Sequence, residues 1–238
     1  MSGHSHWASI KHKKGAADVK RGQAFSKMAR VITIAAKEKG GDPDTNPSLR
    51  LAIDQAKKLN MPKDNIERAV KKGTGELVGE KLEEVIFEAY GPEGIAIIIE
   101  GITDNKNRAF GEVKNILTKY NGKIASEGSV RWMFERKGVM SVNNEQKTAN
   151  KDELELTIIE AGADDIGWEE NIIFIYSKPE ELEQVRKTLE EKGIEIESSS
   201  LGWIAKEAVE LKKKDSLEKL FEALDDQDDV QNIYSNLK

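Results

Sequence analysis

The apolar positions of the first third of the chain repeat at helical spacing. From Asp18 to Lys39, Phe25, Met28, Ile32, Ala35 and Ala36 recur on one side, while Lys20, Lys27, Arg30 and Lys37 fall at roughly opposite angles. That pattern predicts an amphipathic helix with a basic outer face. The turn formers Gly40-Gly41-Asp42-Pro43-Asp44-Thr45-Asn46-Pro47 stop it. Leu49, Ala52, Ile53, Ala56 and Leu59 stripe a second helix, and Pro62 opens a third that carries Ile66, Ala69 and Val70 and that Gly73 can terminate. Residues 18–73 therefore read as a three-helix unit.

Beyond Gly73-Thr74-Gly75 the pattern becomes β-rich. Glu84–Tyr90, a turn at Gly91-Pro92-Glu93-Gly94 and a buried run at Ile95–Glu100 predict a hairpin. A helix from Asn105 to about Tyr120 follows, then short strands around Lys123–Ala125, Val130–Phe134 and Gly138–Val142. Residues 152–161 and Pro179–Lys192 read as helices and Asn171–Ser177 and Ile194–Ser198 as strands. A helix at Ser216–Leu224 and a strand at Val230–Tyr234 close the chain. The expected fold class is α+β: an N-terminal three-helix domain followed by two small α+β domains, the last inserted in the middle one. The corresponding boundaries are 1–76, 77–132 plus 205–238, and 133–204.

Charge changes this picture from a plain globular chain to a divided one. The 238 residues carry a net charge of -6. Residues 1–75 hold 16 Lys and Arg against 7 Asp and Glu, or +9, which leaves −15 for the remainder. Such asymmetry points to a polyanionic partner for the basic end. Cysteine is absent, which excludes thiol catalysis, Cys-ligated zinc, iron–sulfur clusters and disulfides, and fits a reducing cytoplasm. The longest apolar run, Ile95–Ile99, is far short of the roughly 20 residues of a membrane helix, and no secretory or organelle leader is recognisable. The expected location is the cytoplasm, with no membrane partner.

The richest segment is Gly3-His4-Ser5-His6-Trp7-Ala8-Ser9-Ile10-Lys11-His12-Lys13-Lys14. Its cations can neutralise phosphates and its Trp can stack on a base; against this stands a merely solvated basic arm. His6, Trp7, Lys11, His12, Lys13 and Lys14, with Lys20, Arg21, Lys27 and Arg30 of the first helix, form the first half of the candidate nucleic-acid-binding set. The second and third helices, joined at Asn60-Met61-Pro62, also allow a helix-turn-helix that offers Lys63, Arg68, Lys71 and Lys72 to a groove. A plain helical hairpin with solubilising lysines fits the same pattern.

All three histidines lie at positions 4, 6 and 12, and no nearby carboxylate completes a zinc-ligand spacing. Removal of Met1 would leave Ser2-Gly3-His4, which can hold Cu(II) or Ni(II) in a plane, an incidental chemistry. No phosphate-binding loop or dinucleotide fingerprint is present, and no His lies beyond position 12 to serve as a base. Acidic runs such as Asp225-Asp226-Gln227-Asp228-Asp229 have the oxygen ligands for Mg²⁺ but read more simply as solvated surface. No catalytic residue, metal or cofactor is expected.

The segments 3–13, Lys20-Arg21-Gly22, Gly41–Pro47, Asn60-Met61-Pro62, Glu88-Ala89-Tyr90-Gly91-Pro92, Thr103–Arg108 and Gly128-Ser129-Val130 resemble, in register, the YebC/PmpR family. The chain departs from the family pattern at His6, where Lys is common, and at Arg131, where a small residue is common. The resemblance implies an N-terminal helical domain and two α+β domains around a cavity, and regulation rather than catalysis. It leaves two targets open, since members are described as DNA-binding transcriptional regulators and others as ribosome-associated activators that relieve stalled elongation. The expected function is thus a non-enzymatic nucleic-acid-binding regulator, monomeric, with DNA or ribosomal RNA or tRNA as partner. A ribosome-bound translation factor and a protein–protein adaptor are the alternatives.

Overall fold

The computed structural model describes residues 18–143, 151–169, 171–211 and 215–238. Three helices, α1 (Asp18–Lys39), α2 (Pro47–Lys58) and α3 (Lys63–Thr74), pack around Ile32, Ala36, Leu49, Ala52, Ala56 and Ala69. The turn before α2 is fastened by Asn46, which is fully buried. Its Oδ1 accepts the Leu49 N–H at 3.0 Å as an N-cap, and its Nδ2 donates to the carbonyls of Ala35 and Gly40, both at 2.8 Å. Gly73 does not end α3. A Cβ there would run into the Thr33 carbonyl oxygen and come within 2.7 Å of the Ala36 Cβ, so the glycine permits the close crossing of α1 and α3. The stop comes at Gly75, with φ +83°.

Two antiparallel four-stranded sheets follow. Strands β1 (Glu83–Tyr90) and β2 (Ala96–Thr103) form the expected hairpin, then come helix α4 (Lys106–Lys119) and strand β3 (Lys123–Ile124). The chain leaves for a second sheet through β4 (Phe134–Asn143), α5 (Lys151–Glu160), β5 (Asp165–Trp168), β6 (Ile172–Ser177), α6 (Leu182–Glu191) and β7 (Ser198–Ala205). It returns through α7 (Asp215–Asp225) and β8 (Val230–Ser235), which pairs with β2. The strand orders are β3-β1-β2-β8 and β5-β6-β4-β7. Ile97 and Ile99 bury one face of the first sheet under α4 and α7, while Ala96 and Ile98 face Phe134 and Ala205 where the sheets meet. At that seam Glu100 accepts hydrogen bonds from Trp203 Nε1 at 2.9 Å, from Tyr234 Oη and Asn232 Nδ2 at 3.2 Å, and from Arg136.

Two local expectations fail for identifiable reasons. Residues 130–134 are rich in β formers, yet Arg131–Met133 is a 3-10 turn. The buried Glu88 carboxylate accepts the N–H groups of Gly128 at 2.7 Å, Val130 at 2.7 Å and Arg131 at 2.8 Å, which folds the segment around one charge instead of along a sheet. The strand expected at Ile194–Ser198 begins only at Ser198; Ile194 and Ile196 are buried against α6 and β6 without strand pairing. The short β5 was not foreseen.

The largest correction concerns α1. The middle of its basic face does not point outward: Lys27 and Arg30, with Gln23, dock on the Asp225–Asp229 turn between α7 and β8. Lys27 Nζ donates to the Asp225 carbonyl at 2.5 Å, and Gln23 Nε2 to that of Asp226 at 2.6 Å. Arg30 donates to the carbonyls of Ile102 at 2.9 Å and Asp228 at 3.1 Å and ion-pairs with Asp229. Lys37 donates to the Leu82 carbonyl at 3.0 Å. Cations predicted to meet solvent are thus used internally, and a turn read as solvated surface includes a carboxylate, Asp229, whose side chain is only 4% exposed. Asp229 also accepts from Arg108 at 3.1 Å and from Thr103 Oγ1 at 3.0 Å. Burial alone would raise its pKa; the hydrogen bonds from Arg30, Arg108 and Thr103 outweigh this and hold it below the ordinary 3.8.

Glu88 obeys the same balance, with burial opposed by three backbone N–H donors and a net lowering below 4.5. A group with a depressed folded pKa stabilises the protein above its unfolded pKa, and that stability is lost as pH falls toward the folded value. Glu88→Gln is expected to cost about 2–3 kcal/mol in urea denaturation at neutral pH, because an amide NH₂ would face backbone donors. The loss should shrink in acid, below the ordinary carboxylate range. Asp229→Asn is expected to cost about 3 kcal/mol by leaving Arg30 and Arg108 undercompensated. Amide exchange should accelerate first in α1, as hydrogen–deuterium mass spectrometry would register.

Candidate nucleic-acid interface

The sequence-predicted set is divided by the fold. His6, Trp7, Lys11, His12, Lys13 and Lys14 lie outside the described residues, and Lys20 lies in α1 with its side chain outside them. Arg21 is exposed near the start of α1. Lys27 and Arg30 are held at the acidic turn, as above. Lys63 pairs with Glu67 one turn along α3 at 3.5 Å. Arg68, Lys71 and Lys72 are exposed, and none of the three makes an ion pair among the described residues.

Helix α3 arranges these cations by its periodicity. Ile66 and Ala69 are buried against α1 and α2, so the opposite arc carries the charges. Arg68 and Lys72, four residues apart, lie side by side on one flank. They form part of the wall of a cleft of about 360 Å³ between α1 and α3, to which Ser26 and Arg30 contribute from α1 and Asn65 from α3. The other flank is mixed, with Lys63 paired to Glu67 and Asp64 on the same side as Lys71. A second cleft of about 300 Å³ separates α2 from β7 and α6, where Gln55 donates to the Ser199 carbonyl at 2.8 Å and Lys58 to that of Ile196 at 2.6 Å.

Sequence reasoning missed the acidic turn as a receptor and the cleft as a concavity. Gln23, Lys27 and Arg30 fall on one stripe of α1, and that stripe is the signal for a polar docking face. Nothing in the sequence names its partner some 200 positions away. Among the described residues there is no cluster of three or more His, Asp or Glu able to hold a metal ion, and no helix long and apolar enough to cross a membrane.

With this geometry in place, the comparisons with known proteins are specific. Residues 5–76 match the model of the TACO1/YebC protein N-terminal domain, and residues 82–237 that of the TACO1/YebC second and third domain. A relative from Halothermothrix orenii is 48% identical over 99% of this chain and 94% of its own length. One from Geobacter sulfurreducens is 49% identical over 99% and 95%. Both are named probable transcriptional regulatory proteins. The crystal structure of a conserved hypothetical protein from Aquifex aeolicus superposes with a TM-score of 0.89 at 44% identity, covering 98% of this chain and 97% of that one. The two models together span nearly every described element, and the chain belongs to the TACO1/YebC family.

Proposed function

We propose that the protein is a non-enzymatic regulator of gene expression that binds nucleic acid through its helical unit and the basic segment preceding it. One observation carries the reading: part of the positive charge of residues 1–75 stays unspent after folding. Lys27, Arg30 and Lys37 are consumed by internal carbonyls and carboxylates, whereas Arg68, Lys71 and Lys72 are exposed without an ion pair among the described residues. They belong to the same unit as Lys11, Lys13 and Lys14 of the sequence. Cations left unpaired in this way favour a phosphate partner, since displacement of counterions from a polyanion drives binding. The names given to the relatives support a regulatory role. In this reading the protein acts as a monomer in the cytoplasm and carries no cofactor.

A second reading, a translation factor that binds ribosomal RNA or tRNA, is favoured by the charge division. A +9 head on a −15 body presents only one end to an RNA surface and holds the rest away from it.

Fluorescence anisotropy against duplex DNA across a salt series tests the common core of both. Replacing Arg68, Lys71 and Lys72 together by Gln should lower affinity and reduce the slope of log affinity against log salt by roughly 2–3, the loss of about three phosphate contacts. Replacing Lys11, Lys13 and Lys14 by Gln should act in the same direction. Wild-type binding that vanishes at physiological salt would favour a protein–protein adaptor instead. Sedimentation with ribosomes from lysate, with a nuclease-treated control, separates the two targets. Co-sedimentation that fades with salt indicates translation, and a ribosome-free pool enriched on particular promoter DNA indicates transcription.

A further inference from the structure

We propose that the cleft between α1 and α3 is a binding site for one unpaired nucleotide of a nucleic-acid strand, its phosphate held by Arg68 and Lys72 and its base on the cleft's apolar floor. The proposal rests on the nucleic-acid-binding reading and adds where, and in what form, the strand is held.

The first argument is shape. A duplex major groove receives a convex element such as a projecting helix. Arg68 and Lys72 instead line a concavity of about 360 Å³, at the lower end of the range for small-ligand pockets, roughly 300–1,000 Å³. That is room for a single extruded residue and too little for a duplex. The flank of α3 outside the cleft is poorly suited to a duplex backbone, because Glu67 neutralises Lys63 there and stands one turn before Lys71.

The second argument is chemistry. Arg68 and Lys72 stand one helical turn apart and both line the cleft, so that a phosphate seated there has two cations to neutralise it. Arg30 contributes to the wall, but its charge is committed to Asp229; Glu80 is the one acid among the lining residues. The cationic character of the cleft therefore belongs to α3. Phe25, Ala29 and Ala69 provide an apolar surface of the kind that stacks or covers a base without regard to its identity. The Thr33 hydroxyl is already used by the carbonyls of Ala29 and Ala69, and that of Ser26 by Gly22. The Asn65 side chain has no hydrogen-bond partner among the described residues and offers a donor and an acceptor to a base edge. Phosphate clamp, apolar floor and amide edge together match an unpaired nucleotide better than an isolated anion, which would need no floor.

The test compares fluorescein-labelled single-stranded RNA, single-stranded DNA of the same sequence, and the duplex of each, by anisotropy at low salt. The wild-type protein should bind a single strand more tightly than its duplex, and the better of the two strands identifies the polymer. Ser26→Trp places an indole at the cleft without altering charge and should weaken single-strand binding roughly tenfold or more, on the scale of a lost base contact. Replacing Arg68 and Lys72 by Gln should weaken it more than replacing Lys63 and Lys71, although each pair removes the same charge. Circular dichroism and thermal melting verify that the variants fold. Independently of any variant, a 4-thiouridine or 4-thiothymidine oligonucleotide cross-linked to the wild-type protein should map by mass spectrometry to residues 25–33 or 65–72. Binding unchanged in Ser26→Trp, or cross-links confined elsewhere, overturns the cleft while the regulatory reading stands. Failure of the wild-type protein to bind nucleic acid in any form overturns both.

Discussion

One buried carboxylate ties α1 to the first sheet and its two helices. Asp229 has almost no contact with water, and a charge so placed must be compensated by the protein itself. Compensation comes from three directions: Arg30 of α1, Arg108 of α4 and the Thr103 hydroxyl at the end of β2. The arrangement joins segments far apart in sequence, since Arg30 and Asp229 are separated by 199 residues. It also depends on the nested topology. The turn that carries Asp229 exists only because the chain, after completing the second sheet, returns through α7 to lay β8 against β2. Closing the first sheet therefore builds the receptor on which α1 docks.

How much of this could be read from the sequence follows from how local each cause is. Helices α1 to α3 were legible because their stripes are long and bounded by strong punctuation, and the 91–94 turn with the apolar run Ile95–Ile99 leading into β2 marked the first hairpin. Elements set by a distant partner were not. Residues 130–134 have strand composition, but Glu88, 40 or more positions earlier, captures their N–H groups. Strand β7 has a Ser-rich start and a glycine where an apolar alternation would announce it, and it exists by pairing with β4. Gly73 looked like a stop because helix ends favour glycine; the crossing of α1 over it is a tertiary fact that no spacing expresses.

The candidate site shows the same limit in electrostatic form. Periodicity placed Lys27 and Arg30 on the face of α1 opposite its apolar stripe, and that much is so. The inference that a polar face is a wet face fails, because the stripe meets a turn of equal and opposite character. In α3 the same inference holds for Arg68, Lys71 and Lys72, which are exposed and form no ion pair among the described residues. Charge type is legible from composition; whether a charge is spent or available depends on the tertiary partner.

That difference gives direction to the divided charge of the chain. Were the +9 and −15 portions merely tethered, they would attract one another and bury the basic surface in the acidic one. Instead α1 is met at one corner, where Asp225 to Asp229 satisfy it through carbonyls as much as carboxylates, and α2 meets the second sheet mainly through the carbonyls of Ser199 and Ile196, with Arg50 alone among the described residues pairing a carboxylate there, Glu183. Backbone carbonyls bind cations without adding net charge, so the corner saturates Lys27 and Arg30 without spending the acidity of the remaining surface. What is left is a dipolar molecule, with uncompensated cations on α3 and an excess of carboxylates over the sheet-bearing part. A polyanion approaching such a molecule is drawn to the α3 side and repelled from the rest, so that electrostatics sets the orientation of the encounter before any specific contact forms.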